Sequence, residues 1–236
     1  AINKFIELEP NEANPYDTRG ELYAYNGKVD LAIASYEKAL EKNPHHVHSG
    51  LEQARVLVEV KQEDEAGEQI LKEVFGKKFR QLAPSERAKA HALRAKINIR
   101  RHKKEEVMQD LNAAIELVPS RVEYMAALGN FFLDVGQFSK AKELFDKAVS
   151  KDPQNVDALV GKGRAMWRDG DIVKAKVHLE KVSSQYPKDP RPPYLLGRIA
   201  EDLEKPQEAL TFYRKSNNLS AKYLTARVAI ARLHLK

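Results

Sequence analysis

Five prolines recur at a nearly fixed interval along the chain, and this interval limits the folds available to it. They are Pro10, Pro44, Pro119, Pro153 and Pro187, so the gaps are 34, 75, 34 and 34 residues. The gap of 75 equals two intervals of 34 with seven residues added. Amphipathic runs such as "SYEKALEKNP" and "LFDKAVSKDP" precede the prolines. A period of this length is that of a helix–turn–helix unit, which indicates a stack of repeats.

Small and aromatic residues recur at matching places within the period. The fourth unit is the clearest, with Met125, Leu128-Gly129, Phe132, Ala141, Phe145, Ala148 and Pro153. The first, fifth and sixth units keep most of these positions. The third keeps Leu111, Ala114 and Pro119, and the second is weakest, with Ala54, Leu57, Ala66 and Ile70. This pattern resembles that of the tetratricopeptide repeat family over essentially the whole chain.

The resemblance implies an all-α, right-handed superhelical solenoid of antiparallel helix pairs, because one such unit cannot bury its apolar face alone. A single solenoid over 1–236 is expected, with repeats at 13–46, 47–87, 88–121, 122–155, 156–189 and 190–223. Residues 1–12 would be the tail of a preceding repeat, and 224–236 a capping or truncated helix, so we expect a fragment of a longer array. Gly27, Gly136 and Gly170 are expected at the turns between paired helices, where a left-handed backbone favours glycine.

The second repeat has to accommodate the seven extra residues. They belong between Ile70 and Ala88, around "FGKKFRQLAPSER". Seven residues make about two helical turns, so a longer second helix and an extruded loop are both compatible with the sequence.

Composition excludes several classes of protein. The chain has no cysteine, which excludes disulfides, thiolate nucleophiles and zinc ribbons. It contains no apolar run of ~18 residues that could cross a membrane. We expect a cytoplasmic location, although the lack of cysteine is equally compatible with a periplasmic one.

No motif indicates an enzyme, a cofactor or a metal. The sequence lacks G-x-x-x-x-G-K-[ST] and H-E-x-x-H, and the glycines of "GKGRAM" are better explained by close helix packing. His45, His46 and His48 fall where one repeat joins the next. A structural zinc site requires four ligands, and no cysteine or cluster of Asp and Glu is expected to supply the others, so we interpret these histidines as solvated turn residues.

The expected function is therefore protein binding on the concave face that the first helices of such arrays line. In the register of the repeat, a row of groove positions carries mostly basic residues: Glu21, Arg55, Lys96, Asn130, Arg164, Arg198 and Arg232. The groove would suit a partner protein or peptide with apolar anchors and acidic residues, for which charge sets orientation. Trp167 is expected to be exposed there, since Trp and Arg are enriched at binding hot spots. The predicted contact residues are Arg55, Lys96, Arg100, Asn130, Arg164, Trp167, Arg168, Tyr194 and Arg198.

Two alternatives remain open at this point. The segment from Lys77 to Lys104 contains eleven Lys or Arg and one acid, Glu86, and such a band could bind nucleic acid or anionic lipid. Its structural explanation is a solvated face partly neutralised by neighbouring acids. The apolar segment "LTARVAIARLHLK" at 224–236 could instead stack chains end to end by self-association.

Overall fold

The computed structural model describes residues 2–76 and 79–235, and all regular secondary structure within these ranges is helical. The helices are α1 (Ile2–Leu8), α2 (Ala13–Tyr25), α3 (Val29–Lys42), α4 (Val47–Arg55, continued by a π-helical segment Val56–Lys61), α5 (Asp64–Val74), α6 (Pro84–Arg100), α7 (Lys104–Leu117), α8 (Val122–Asp134), α9 (Phe138–Lys151), α10 (Val156–Arg168), α11 (Ile172–Gln185), α12 (Arg191–Asp202), α13 (Pro206–Leu219) and α14 (Leu224–His234). A short 3-10 turn lies at Phe79–Gln81. The prediction of an all-α chain of helix pairs is confirmed.

The helices are grouped into two compact units, residues 1–119 and 120–236. In the first unit, α2 packs with α3, α4 with α5 and α6 with α7. In the second, the pairs are α8 with α9, α10 with α11 and α12 with α13, and α14 packs against α13. No helix in the described part of the chain is long and apolar enough to cross a membrane.

The two helices of most pairs meet where a large side chain covers a glycine. Tyr36 covers Gly20, and a Cβ atom placed on that glycine would lie 2.5 Å from the tyrosine ring. In this pair the large residue follows the glycine by sixteen positions. Three further pairs have the same arrangement and the same separation: Gly129 with Phe145, Gly163 with Leu179 and Gly197 with Tyr213. The large partners are fully buried, so each glycine allows a close helix approach that forms the centre of its repeat.

The turn between paired helices has one residue with a left-handed backbone. Gly27, Gly136 and Gly170 have φ of 70°, 77° and 94°, as the sequence predicted. Matching turns of the other repeats carry non-glycine residues in this conformation, at Gln62, His102 and Glu204. A residue with a side chain is disfavoured in the left-handed backbone conformation, so these three turns are strained, and replacing the residue by glycine would relieve the strain.

The second repeat differs from its predicted register. The sequence indicated Ala66 and Ile70 as its core positions on the second helix. Ala66 is wrong because it is exposed, and Ile70 packs only at the edge of the core, whereas Gly67 and Leu71 are buried. The cause is the π-helical segment, which adds a residue before the turn and advances α5 by one position. Val58 of that segment packs directly on Gly67.

The extra residues of this region are divided between a loop and a helix. Helix α5 ends at Val74, and α6 begins at Pro84 and spans 17 residues, whereas α2, α8 and α10 span 13 each. Pro84 opens α6, and the Glu86 carboxylate accepts a hydrogen bond from the Ala83 N–H at 3.0 Å. The insertion therefore lengthens the first helix of the next repeat and not the second helix of its own.

Candidate functional site

A cavity of about 560 Å³ opens on the face that α8, α10 and α12 share in the second unit, and we call it the groove cavity. Its apolar floor contains Ala126, Val160 and Leu195. Six of the nine predicted contact residues line it: Asn130, Arg164, Trp167, Arg168, Tyr194 and Arg198. The repeat register thus brings together residues that are up to 68 positions apart in the sequence.

Trp167 lines the groove cavity but is only 8% exposed, so the prediction of an exposed indole is wrong. The indole Nε1–H donates a hydrogen bond to Asp202 Oδ2 at 2.7 Å, on the first helix of the next repeat. The guanidinium of Arg198 lies 5.4 Å from the indole centre and that of Arg168 lies 5.8 Å away. The buried indole of Trp167 is therefore held by a hydrogen bond at the edge of the cavity, and two guanidinium groups lie close to its ring.

The arginines of the groove cavity differ in how far they are neutralised. Arg164 contacts Asp134 at 3.3 Å, and both side chains are partly exposed. Arg198 lies 3.8 Å from Glu201 and donates weakly to the Tyr194 hydroxyl at 3.5 Å. Among the described residues Arg168 has no carboxylate partner, and it stacks on Phe138 at 4.8 Å. The cavity therefore presents positive charge that its own acids compensate only in part.

Arg191 and Tyr223 line the cavity as well, and the sequence did not single them out. Arg191 is held by Asp189 and by Asp157, with contacts of 2.6 Å and 2.5 Å, and these carboxylates raise its pKa. Tyr223 meets Tyr194 edge to face, with ring centres 5.5 Å apart. Arg191 lies one helical turn before Tyr194 on α12, which a helical-wheel reading could have found. Tyr223 comes from the turn before α14 and had no such signal.

The three predicted contact residues of the first unit lie among acids. Arg55 contacts Glu52 at 2.7 Å, Lys96 pairs with Glu59, and Arg100 donates to Asp64 Oδ2 at 2.8 Å. Arg100 also donates to the Val58 carbonyl at 3.1 Å. The predicted positive row is therefore neutralised in the first unit, because acids of α4, its π-helical extension and α5 face it.

The same neutralisation extends to other described residues of the basic band. Arg94 donates to the buried Asp110 carboxylate at 2.6 Å, and Arg101 contacts Glu68 at 2.9 Å. Lys89 pairs with Glu52. Lys77 and Lys78 lie outside the described residues. Much of the excess charge that the sequence shows in this band is thus compensated by acids from other helices.

Two of the three turn histidines, His46 and His48, have definite side-chain partners. His46 Nδ1 lies 2.8 Å from Ser49 Oγ, and its Nε2 lies 2.9 Å from Asn14 Oδ1. His48 Nε2 lies 3.1 Å from Glu21 Oε1 and 3.8 Å from Asp17 Oδ2. The expectation that no carboxylates would cluster near these histidines is wrong, since helix pairing brings two of them from α2.

Comparison with solved structures agrees with this architecture. The APC/C hetero-tetramer Cut9-Hcn1 contains a chain that matches with a TM-score of 0.80 and 13% identity, over 98% of this chain and 44% of that one. A tetratricopeptide repeat protein from Parabacteroides merdae matches with a TM-score of 0.75 and 16% identity, over 100% and 90% of the two chains. YrrB, a TPR protein with an unusual peptide-binding site, matches with a TM-score of 0.54, 18% identity and 97% coverage of each chain. At these identities the likeness shows the fold alone.

Sequence comparisons point to the same family. Anaphase-promoting complex subunit 3 of Schizosaccharomyces pombe is 21% identical over 221 residues, which is 94% of this chain. The chain spans only 27% of that relative and 44% of the Cut9-Hcn1 chain. Family models described as tetratricopeptide repeat match residues 13–46, 132–199 and 194–223, together just over half of the chain. With six helix pairs in the described residues, four of them sharing the glycine-centred packing, the chain belongs to the tetratricopeptide repeat family.

Proposed function

We propose that the chain is a non-enzymatic scaffold that binds a segment of a partner protein in the groove cavity of its second unit. The observation that carries the proposal is the convergence of an apolar floor, a buried tryptophan and partly compensated arginines in one cavity. Aromatic and Arg side chains around a pocket are the residue types most often found at binding hot spots.

The chemistry of the lining indicates the kind of segment that fits. Ala126, Val160 and Leu195 offer apolar surface for an anchoring side chain. Arg164, Arg168 and Arg198 lie around that surface, and two acids face them, the exposed Asp134 beside Arg164 and the largely buried Glu201 beside Arg198. A fitting partner segment has a large apolar residue flanked by Asp or Glu. Its apolar side chain would be buried on the floor of the cavity, and its carboxylates would pair with the arginines. Charge complementarity would fix its direction in the groove.

The relatives support an interaction role without naming a partner. Cut9-Hcn1 and the anaphase-promoting complex subunit belong to an assembly, and YrrB is described with a peptide-binding site. The alternative of nucleic-acid binding through the basic band loses support, because Lys89, Arg94, Lys96, Arg100 and Arg101 are all paired with acids. Self-association through the segment 224–236 is favoured by three exposed apolar side chains, those of Leu224, Val228 and Leu235.

A selection from a displayed peptide library tests the proposal. Three proteins would be used as bait: wild type, the groove variant Arg164→Glu with Arg198→Glu, and the control variant Lys147→Glu with Lys151→Glu. The control makes the same charge change on the exposed side of α9, away from the groove cavity. Acidic peptides with an aromatic or aliphatic anchor should be enriched on wild type and control and lost on the groove variant. Equal enrichment on all three proteins would contradict the proposal.

A further inference from the structure

We infer that the first unit holds a divalent transition-metal ion, such as Zn²⁺, between Asp17 and Glu21 of α2 and His48 of α4. This inference concerns another unit of the chain and does not depend on the groove cavity. Its basis is the position of the three side chains: His48 follows Glu21 by 27 residues and Asp17 by 31 in the sequence, yet all three side chains lie together.

The geometry of the three donors fits one ion. An oxygen or nitrogen from each of the three side chains lies within 4.8 Å of the other two. His48 Nε2 is 3.1 Å from Glu21 Oε1 and 3.8 Å from Asp17 Oδ2. Ligands about 2.1 Å from a tetrahedral zinc ion are about 3.4 Å from each other, so the observed distances bracket the required one. The ligating oxygens of Asp17 and Glu21 lie within 4.8 Å of each other, and ion binding would draw them together.

The charge balance at Asp17 also points to a cation. Asp17 is only 8% exposed, and its Oδ1 accepts a hydrogen bond from Ser49 Oγ at 2.6 Å. Its Oδ2 accepts no hydrogen bond from any residue in the described ranges and faces His48. Within those ranges neither Asp17 nor Glu21 pairs with a Lys or Arg. A buried carboxylate beside a second carboxylate is costly without a cation, which a bound ion would supply.

The surroundings hold the ligands in place. Ser49 lies between Asp17 and His46, 2.6 Å from the Asp17 carboxylate and 2.8 Å from the His46 ring nitrogen. Asn14 contacts the other nitrogen of His46 at 2.9 Å. Such a chain of outer contacts fixes the orientation of a ligating carboxylate. The Oδ2 atom of Asp17 is thereby left directed toward His48 and Glu21.

The donor set selects the class of ion. One imidazole with two carboxylates suits Zn²⁺ and related transition metals, whereas Mg²⁺ favours oxygen ligands in an octahedron and retains its waters. Three protein ligands leave a zinc ion with at least one position for water or for a donor group of a bound partner.

Calorimetric titration of the chelator-treated full chain with ZnCl₂ tests the inference. We expect one zinc ion per chain at this site, with binding weakened at least tenfold in His48→Gln and in Glu21→Gln. Ser49→Ala, which removes the contact that orients Asp17, should weaken binding by about tenfold. His48 and Glu21 are both half exposed, so neither substitution should prevent folding, and circular dichroism would verify this.

Two controls separate this site from other zinc binding. His45→Gln alters the exposed turn histidine and should leave the affinity unchanged. Millimolar Mg²⁺ should not displace the zinc ion. Equal zinc binding by wild type and His48→Gln would overturn the inference, as would binding lost in His45→Gln but retained in His48→Gln. Absence of stoichiometric zinc binding by wild type would also overturn it.

Discussion

The tightest glycine position in the second unit, Gly161, yields a test of how its repeats pack. A Cβ atom added to Gly161 of α10 would lie 2.2 Å from Cε1 and 2.4 Å from Cζ of Phe145, well below ordinary contact distance. The tip of that ring also touches Gly129 of α8, where an added Cβ would lie 2.8 Å from Cζ. The ring is completely buried and contacts both helices, so it cannot withdraw from an enlarged residue 161 without opening the pair α8–α9.

The expected cost of Gly161→Ala is the balance of two effects. Overpacking a core costs ~1–3 kcal/mol, and an overlap of more than 1 Å places this site near the upper end. Alanine is favoured over glycine within a helix by about 1 kcal/mol. The net loss of unfolding free energy should therefore be about 2 kcal/mol. Leucine lacks Cε1 and Cζ but keeps a δ carbon, and Cδ1 of Phe145 is 2.7 Å from the added Cβ, so in a Phe145→Leu background the same substitution should cost no more than about 1 kcal/mol.

Urea unfolding of the four proteins in this double-mutant cycle would measure the coupling. Trp167 is the only tryptophan in the chain and lies in α10, so its emission reports unfolding of this unit. Circular dichroism provides an independent probe of whether the transition is two-state. An equal effect of Gly161→Ala in the wild-type and Phe145→Leu backgrounds would refute the reasoning, because the predicted cost resides entirely in the ring contact.

Two further predictions concern the turn between paired helices and a buried ion pair. Glu204→Gly should raise the unfolding free energy by about 0.5–1 kcal/mol, since it removes the side chain from a residue with a left-handed backbone. Gly170→Glu at the matching turn should lower the unfolding free energy by about 1–2 kcal/mol. Urea midpoints of the two variants that move in the same direction would contradict this prediction. Burial opposes ionisation of the Asp110 carboxyl, but hydrogen bonds from His91 and Arg94 outweigh it and lower its pKa. The stabilisation by this carboxylate is then complete above its unfolded pKa near 4 and is lost as the pH falls through the lower folded pKa. The stability difference between wild type and Asp110→Asn should accordingly shrink below pH ~4 in acid unfolding curves, and a constant difference would show that the charge of Asp110 is not responsible.

The sequence was sufficient for the features that repeat. The pairs Gly20–Tyr36, Gly129–Phe145 and Gly197–Tyr213 are each sixteen residues apart, so one period locates them all. The same register brought Asn130, Arg164 and Arg198 to a single cavity, because equivalent positions of successive first helices share one face.

Features that depend on contacts between repeats were not predictable in this way. The indole of Trp167 donates its hydrogen bond to Asp202, 35 residues later, and Arg100 is neutralised by Asp64, 36 residues earlier. The periodicity of the sequence shows on which face of its helix a side chain lies. It does not show which charged residue of a neighbouring repeat faces that side chain. The π-helical segment before Gln62 inserts one residue without any glycine or proline to signal it, which shifted the second repeat by one position.

The clustering of Asp17 with His48 was missed for a related reason. The sequence neighbours of His48 include no carboxylate partner, whereas Asp17 and Glu21 come from the first helix of the preceding repeat. In a stacked array, a residue lies near positions about one period away as well as near those one turn away.

The central claim is that a partner segment occupies the groove cavity, and the emission of Trp167 tests it most directly. A peptide selected on wild type would be titrated into wild type, the groove variant Arg164→Glu with Arg198→Glu, and the control Lys147→Glu with Lys151→Glu. We expect a saturable change in emission for wild type and control with the same Kd, and a Kd at least tenfold higher for the groove variant. Binding of equal strength to all three proteins, or binding to wild type without any change in Trp167 emission, would contradict the claim.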